Sequence, residues 1–204
     1  MNKRLKIERI FDTKMEDLVS IHEFEKNSID IESYIDNASI DDFDTFVLIK
    51  ITNYLRPLRI TGKYKKAQKV NIAIETSINK HKNKSKYLKE FAEMLTFEKS
   101  ICLSKLGRYE ESNEFFKQLI IKAPDNELFG QWYHSNNRDQ IDKFFKPIIY
   151  IDAGIYVFLM SLHLAGIYSE TSFLQDLFFF GGVLIFVVSY LLKKWSDKKP
   201  LPQK

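Results

Sequence analysis

Two apolar runs near the C-terminal end constrain this chain most. The first is Ile148 to Tyr168, "IIYIDAGIYVFLMSLHLAGIY", and the second is Phe173 to Leu192, "FLQDLFFFGGVLIFVVSYLL". They are 21 and 20 residues long, and only "SETS" (Ser169 to Ser172) lies between them. About 20 apolar residues of helix cross a hydrocarbon core of about 30 Å. So short a link forces an antiparallel hairpin. The competing reading is a buried helical pair in a soluble core, but runs this long and this free of charge exceed what a small domain covers.

Basic residues flank the hairpin on one side only. Lys143 and Lys146 precede the first run, and Lys193, Lys194, Lys198 and Lys199 follow the second, whereas the connector carries Glu170 and no Lys or Arg. The positive-inside rule then predicts two spans in the cell (inner) membrane with both termini cytoplasmic. Tyr150, Tyr168, Tyr190 and Trp195 fall where interfacial aromatics are expected. The N-terminus "MNKRLKIERIFDTK" is basic without an apolar core, so it does not read as a secretory signal.

Asp152, His163 and Asp176 interrupt the runs. Intramembrane ionisable groups are functional candidates by default. Counted along its own run, Asp152 lies about 6 Å from the inner edge at about 1.5 Å per residue. His163 and Asp176 are expected at similar depth near the outer edge. A hydrogen-bonded pair locking the hairpin is one reading; a proton relay or pore lining is the other. Small residues (Ala153, Gly154, Ser161, Ala165 and Gly166, then Gly181, Gly182 and Ser189) allow close helix packing.

The region ahead of the hairpin reads as helical. Apolar residues recur at spacings of three and four, as at Phe43, Phe46, Val47, Ile49 and Leu55, then Leu88, Phe91, Leu95 and Leu103. Breaks fall at "RITGKY", "NKHKNKSKY", "KLGRY" and "KAPDNE". The expected class is all-α. The expected divisions are an acidic helical segment 1–42, a helical domain 43–146, the hairpin 147–195 and a basic tail 196–204. Pro147 is expected to mark the junction between a final helix of the domain and the first span.

Two stretches repeat. "TGKYKKA" (Thr61 to Ala67) parallels "LGRYEES" (Leu106 to Ser112), and Pro124 follows the second copy. Gly62, Tyr64 and Ala67, and again Gly107, Tyr109 and Ser112, fit a tight turn, the start of a second helix and a small packed residue. On these residues the chain resembles the tetratricopeptide (TPR) family over roughly 43–146. That resemblance implies stacked helical hairpins with a concave face that binds a protein partner, and it puts candidate groove residues Lys50, Asn53, Lys89 and Glu93 on the first helix of each hairpin. Departures accompany it. The two glycines are 45 residues apart, against a family repeat of about 34. Asn71 stands where a large apolar residue is expected, the first copy lacks the closing Pro, and no Trp-Leu-Gly signature opens a first helix.

Charge is segregated. Glu16 to Asp44 holds ten acidic residues and one basic one, whereas Lys50 to Lys89 holds twelve basic residues and one acidic one. Either the acidic helices fold against the basic ones, or the basic 50–89 region meets anionic lipid at the membrane surface. No module for nucleic-acid binding accompanies the basic stretch. The net charge of +4 demands no polyanionic partner.

No catalytic chemistry is legible. The seven glycines form no phosphate loop, and His22, His81, His134 and His163 show no ligand spacing. The lone Cys102 sits in an apolar helical stretch and reads as a small buried hydrophobe. The sequence therefore leads to no enzyme, no cofactor and no metal. It leads to a membrane-anchored helical-repeat adaptor or scaffold, with a small depolarising membrane effector, or the protein restraining one, as the alternative. Homo-oligomerisation through the hairpin stays open. The Lys/Ile/Asn-rich composition suggests a bacterial source.

Overall fold

The computed structural model describes residues 3–12, 14–37, 40–166 and 172–202. Among these the chain is helical and has no strand. It divides into two compact units, Met1–Lys122 and Ala123–Lys204. The expected division after residue 146 therefore differs from the observed one, because residues 127–146 form one helix with the first apolar run.

The first unit contains α1 (Lys3–Asp12), α2 (Asp17–Asn37), α3 (Ile40–Lys50), a π-helical segment (Ile51–Leu55), α4 (Arg56–Ile60), α5 (Tyr64–Lys80), α6 (Leu88–Lys105) and α7 (Tyr109–Lys122). α3, the π segment and α4 form one continuous helical arm. Pro57 explains the π segment. Proline has no N–H, so it cannot donate to the carbonyl four residues back at Asn53. Arg56 N–H instead reaches Ile51 O, one residue further than α-helical geometry requires. The Asn53 carbonyl accepts from Ser20 Oγ of α2 at 2.8 Å.

The arm and α5 form one helical hairpin, and α6 and α7 form a second. Their turns match bond for bond under a shift of 45 residues. Gly62 N–H donates to Arg59 O and Lys63 N–H to Leu58 O; Gly107 N–H donates to Ser104 O and Arg108 N–H to Leu103 O. Both are Schellman caps, which require a left-handed residue after the helix. Gly62 and Gly107 supply it, at φ 78° and 75°. Behind each turn a small residue is fully buried, Ala67 in one and Ser112 in the other. The connector at 81–87, with a 3₁₀ turn at Lys82–Lys84, joins the hairpins.

The core of this unit lies where α2 crosses the arm. α2 buries Ile21, Phe24, Ile31 and Ile35 on one stripe, at helical spacing. Phe24 stacks on Tyr54 with ring centroids 4.3 Å apart, and Tyr34 stacks on Phe46 at 4.7 Å.

The second unit is α8 (Glu127–Leu164) and α9 (Ser172–Lys198), packed antiparallel. Asn126 caps α8, its side chain accepting from Leu128 N–H at 3.2 Å. So "PDN" opens this helix, as its cap residues suggest. Pro147 lies inside α8 and marks no junction, a correction to its sequence reading. Both helices are long and apolar enough to cross a membrane. The connector residues Tyr168, Ser169 and Glu170 lie outside the described residues.

Candidate functional site: the face between α3 and α6

The first helices of the two hairpins lie side by side with a cavity of ≈ 510 Å³ between them. Asp44, Thr45 and Leu48 of α3 form one wall, and Tyr87, Phe91 and Met94 form much of the other. A second hollow, on the α1 side of α3, shares Thr45 and Leu48. Leu48, 43% exposed, is thus a ridge between two hollows. Tyr87 stands open at the rim, its ring edge-on to that of Phe91.

Asp44 is the chemical feature of this face. It is 7% exposed. Its Oδ2 accepts the Lys86 backbone N–H at 2.9 Å, which ties the interhelical connector to α3. Its Oδ1 is buried without a hydrogen-bond donor among the described residues. A buried carboxylate oxygen costs free energy until a donor reaches it. Glu90 lines the same cavity, and Glu8 and Asp12 line the neighbouring hollow. Against them stands Lys86, the one basic residue among the described residues that line the first cavity. The face is apolar in its walls and acidic on balance.

The expected groove residues distribute unevenly. Lys50 is 5% exposed and pairs with Glu32 of α2, so it is covered rather than presented. This corrects the helical-wheel placement, which ignores α2. Asn53 is half-buried within the π segment and borders the second hollow. Lys89 is exposed and Glu93 half-buried on α6, and neither lines these two hollows. Sequence reasoning misses Asp44 and Leu48. A signal for Leu48 exists in "FVLI": four consecutive apolar residues cannot share one face of a helix, so at least one points outward.

The segregated charges meet inside the unit. Glu25 pairs with Lys66 at 2.6 Å and accepts from Tyr54 Oη at 3.2 Å; Asp36 faces Lys80 and His81; Glu32 takes Lys50. The Lys66 hydrogen bond lowers the Glu25 carboxyl below its ordinary value, and the same bond raises Lys66. Burial raises the Tyr54 phenol. A second cluster lies deeper. Glu98 of α6, 1% exposed, receives Arg56 Nε at 3.1 Å and also Arg59 Nε, both from α4. Beside it, burial and then the Glu98 charge push the Cys102 thiol up to about 12. Such a thiol is unreactive, in keeping with its reading as a buried hydrophobe.

Asn71, the misfit of the repeat pattern, is 1% exposed and donates to Leu95 O of α6 at 2.8 Å. Ser112 donates to Ser100 O at 2.8 Å in the second hairpin. Both are buried side chains of a second helix bonded to the backbone of α6. No group of three or more His, Cys, Asp and Glu able to hold a metal occurs among the described residues.

In the second unit, Asp142 receives Lys193 and Lys146, and Arg138 faces Asp197 at 3.5 Å. Gln175 donates to Leu159 O at 3.1 Å, and Tyr156 meets Phe179 with centroids 6.0 Å apart. Asp176 is exposed, and Gln175 supplies a cross-helix hydrogen bond to Leu159 O. Asp152 lies against Gly181 and Gly182.

No family model, no curated protein and no solved structure matches this chain.

Proposed function

We propose that the chain is a membrane-anchored helical adaptor, divergently TPR-like, whose α3–α6 face holds a segment of a protein partner. The observation that carries this is the cavity between α3 and α6, with its apolar walls and the donor-less Oδ1 of Asp44. A helical or extended segment with an apolar side chain for the walls and an N–H or cationic donor for Asp44 complements it. The TPR-like reading is supported by the two matching glycine turns and by the pairing of first helices around a shared hollow.

In this reading α8 and α9 are the two spans and both termini lie on the cytoplasmic side. The Lys and Arg residues at one end of the hairpin support that orientation. Exposed Lys65 and Lys69 of α5 would add contact with anionic headgroups.

The test is affinity purification of tagged full-length protein from gently solubilised membranes. A stoichiometric partner is expected, lost with Leu48→Glu or Asp44→Ala and kept with Asp176→Asn. A partner that survives both groove substitutions, or none at all from well-folded protein, refutes the reading.

A further inference from the structure

Cross-helix contacts fix the register of α8 against α9. Asp142 meets Lys193, Asp152 meets Gly182, Tyr156 meets Phe179 and Leu159 meets Gln175. This shifts the depth assigned to Asp152. Gly182 lies nine residues after Phe173 and ten before Leu192. At about 1.5 Å per residue, that is roughly 14 Å and 15 Å from the two ends of the second apolar run. Asp152 therefore sits near mid-depth of the hairpin, not at its edge. Counting along α8 alone misses this because residues 142–146 lie beside the last turns of the α9 run.

The seat is built for the carboxylate. A Cβ at position 182 would collide with Asp152 Oδ2, and one at 181 would lie 3.7 Å from Oδ1. Glycine at 182 thus leaves the space that the carboxylate fills. No hydrogen-bond donor or cation reaches Asp152 among the described residues. The nearby basic side chains Lys146 and Lys193 are both drawn to Asp142. Gln175, the cross-helix amide, is committed to Leu159 O. Asp152 is only half-buried, so part of it stays open.

We infer that Asp152 is a pairing site for a Lys or Arg side chain carried at mid-depth by a transmembrane helix of a membrane-protein partner. Charge complementarity selects that occupant. An unpaired carboxylate at this depth is costly, and so is an unpaired cation on a neighbouring helix; their pairing offsets both. The inference rests on the membrane reading of α8 and α9 but not on the α3–α6 face.

The experiment uses fluorophore-labelled full-length protein in phosphatidylcholine vesicles with acceptor-labelled Leu/Ala transmembrane peptides. One peptide carries a central Lys, one carries Leu there, and one carries its Lys near the end. Energy transfer is expected to show association with the central-Lys peptide at least tenfold tighter than with the others. Asp152→Asn should remove that preference, and Asp176→Asn should keep it. Gly182→Ala should weaken it at unchanged helical content. Equal association with all three peptides overturns the inference, as does a preference that survives Asp152→Asn. Asp152-dependent self-association without peptide preference overturns it in favour of a second copy, and an Asp152-dependent ion leak does so in favour of a conduction site. Flotation after alkaline extraction reports membrane insertion separately; a protein that fails to float overturns both readings.

Discussion

Glu98 is a buried charge of the first unit with two cationic partners. It is almost fully buried and receives two arginines from α4. Removing one partner of a buried charged group leaves the rest uncompensated. Glu98→Ala is therefore expected to cost about 3 kcal/mol in urea unfolding, comparable to a core truncation of similar size. Cys102 beside it gives a pH signature. Its folded pKa of about 12 lies above its ordinary value of 9.0. The thiol's contribution to stability is fully present below the ordinary value and is lost as pH rises toward the folded one. Alkylation at pH 8 should be undetectable in folded protein and prompt after unfolding. A thiol that reacts at the rate of a free cysteine contradicts the burial described.

Ser20 and Pro57 act at the scale of an element. The π segment exists because Pro57 withholds a donor, and it is tolerated because Ser20 supplies one to the Asn53 carbonyl. Ser20→Ala should destabilise the unit by about 1–3 kcal/mol, the cost of a buried unsatisfied acceptor. The double change Ser20→Ala/Pro57→Ala should recover much of this, because alanine restores the N–H that proline lacks; urea midpoints of the two single variants and the double variant decide it. At the turns, Gly62→Ala should cost about 1–2 kcal/mol from its left-handed conformation alone, since a Cβ there meets nothing within 4 Å. These turns are legible in sequence because a Schellman cap writes itself as glycine at a fixed offset. The π segment is not: Pro57 marks a break, but the donor that rescues it comes from residue 20, far along the chain. Lys50 shows the same limit. Its helical position can be read from the local pattern, but α2 covers it, and no local pattern reports which helix crosses which.

For the whole molecule, the apolar runs announce two candidate spans, and their existence needs only length and composition. Their register does not follow, because Leu, Phe and Val pack almost equally well one residue either way. The few polar groups and Gly182 fix it. The α3–α6 face is half legible: the repeat implies a face between first helices, whereas Asp44 and Leu48 emerge only from packing. The topology has a direct check. If both termini lie on the cytoplasmic side, as proposed, cysteines introduced at Asn83 and Lys199 should react with an impermeant maleimide only in inside-out vesicles, and one at Glu170 only in right-side-out vesicles. Native Cys102, being buried, should contribute little background. Labelling of Asn83→Cys and Lys199→Cys from opposite sides would break the two-span arrangement.

α8 has 38 residues. At about 1.5 Å per residue it is a rod of about 57 Å, nearly twice the hydrocarbon thickness. Roughly half of it lies beyond the apolar run and, in the proposed membrane reading, would act as a lever arm. Transmembrane helices answer a change in bilayer thickness by tilting. A tilt of about 10° would swing the far end of such an arm by about 5 Å, provided the rod stays stiff across Pro147. In that reading the helix would turn a property of the lipid into a displacement in water.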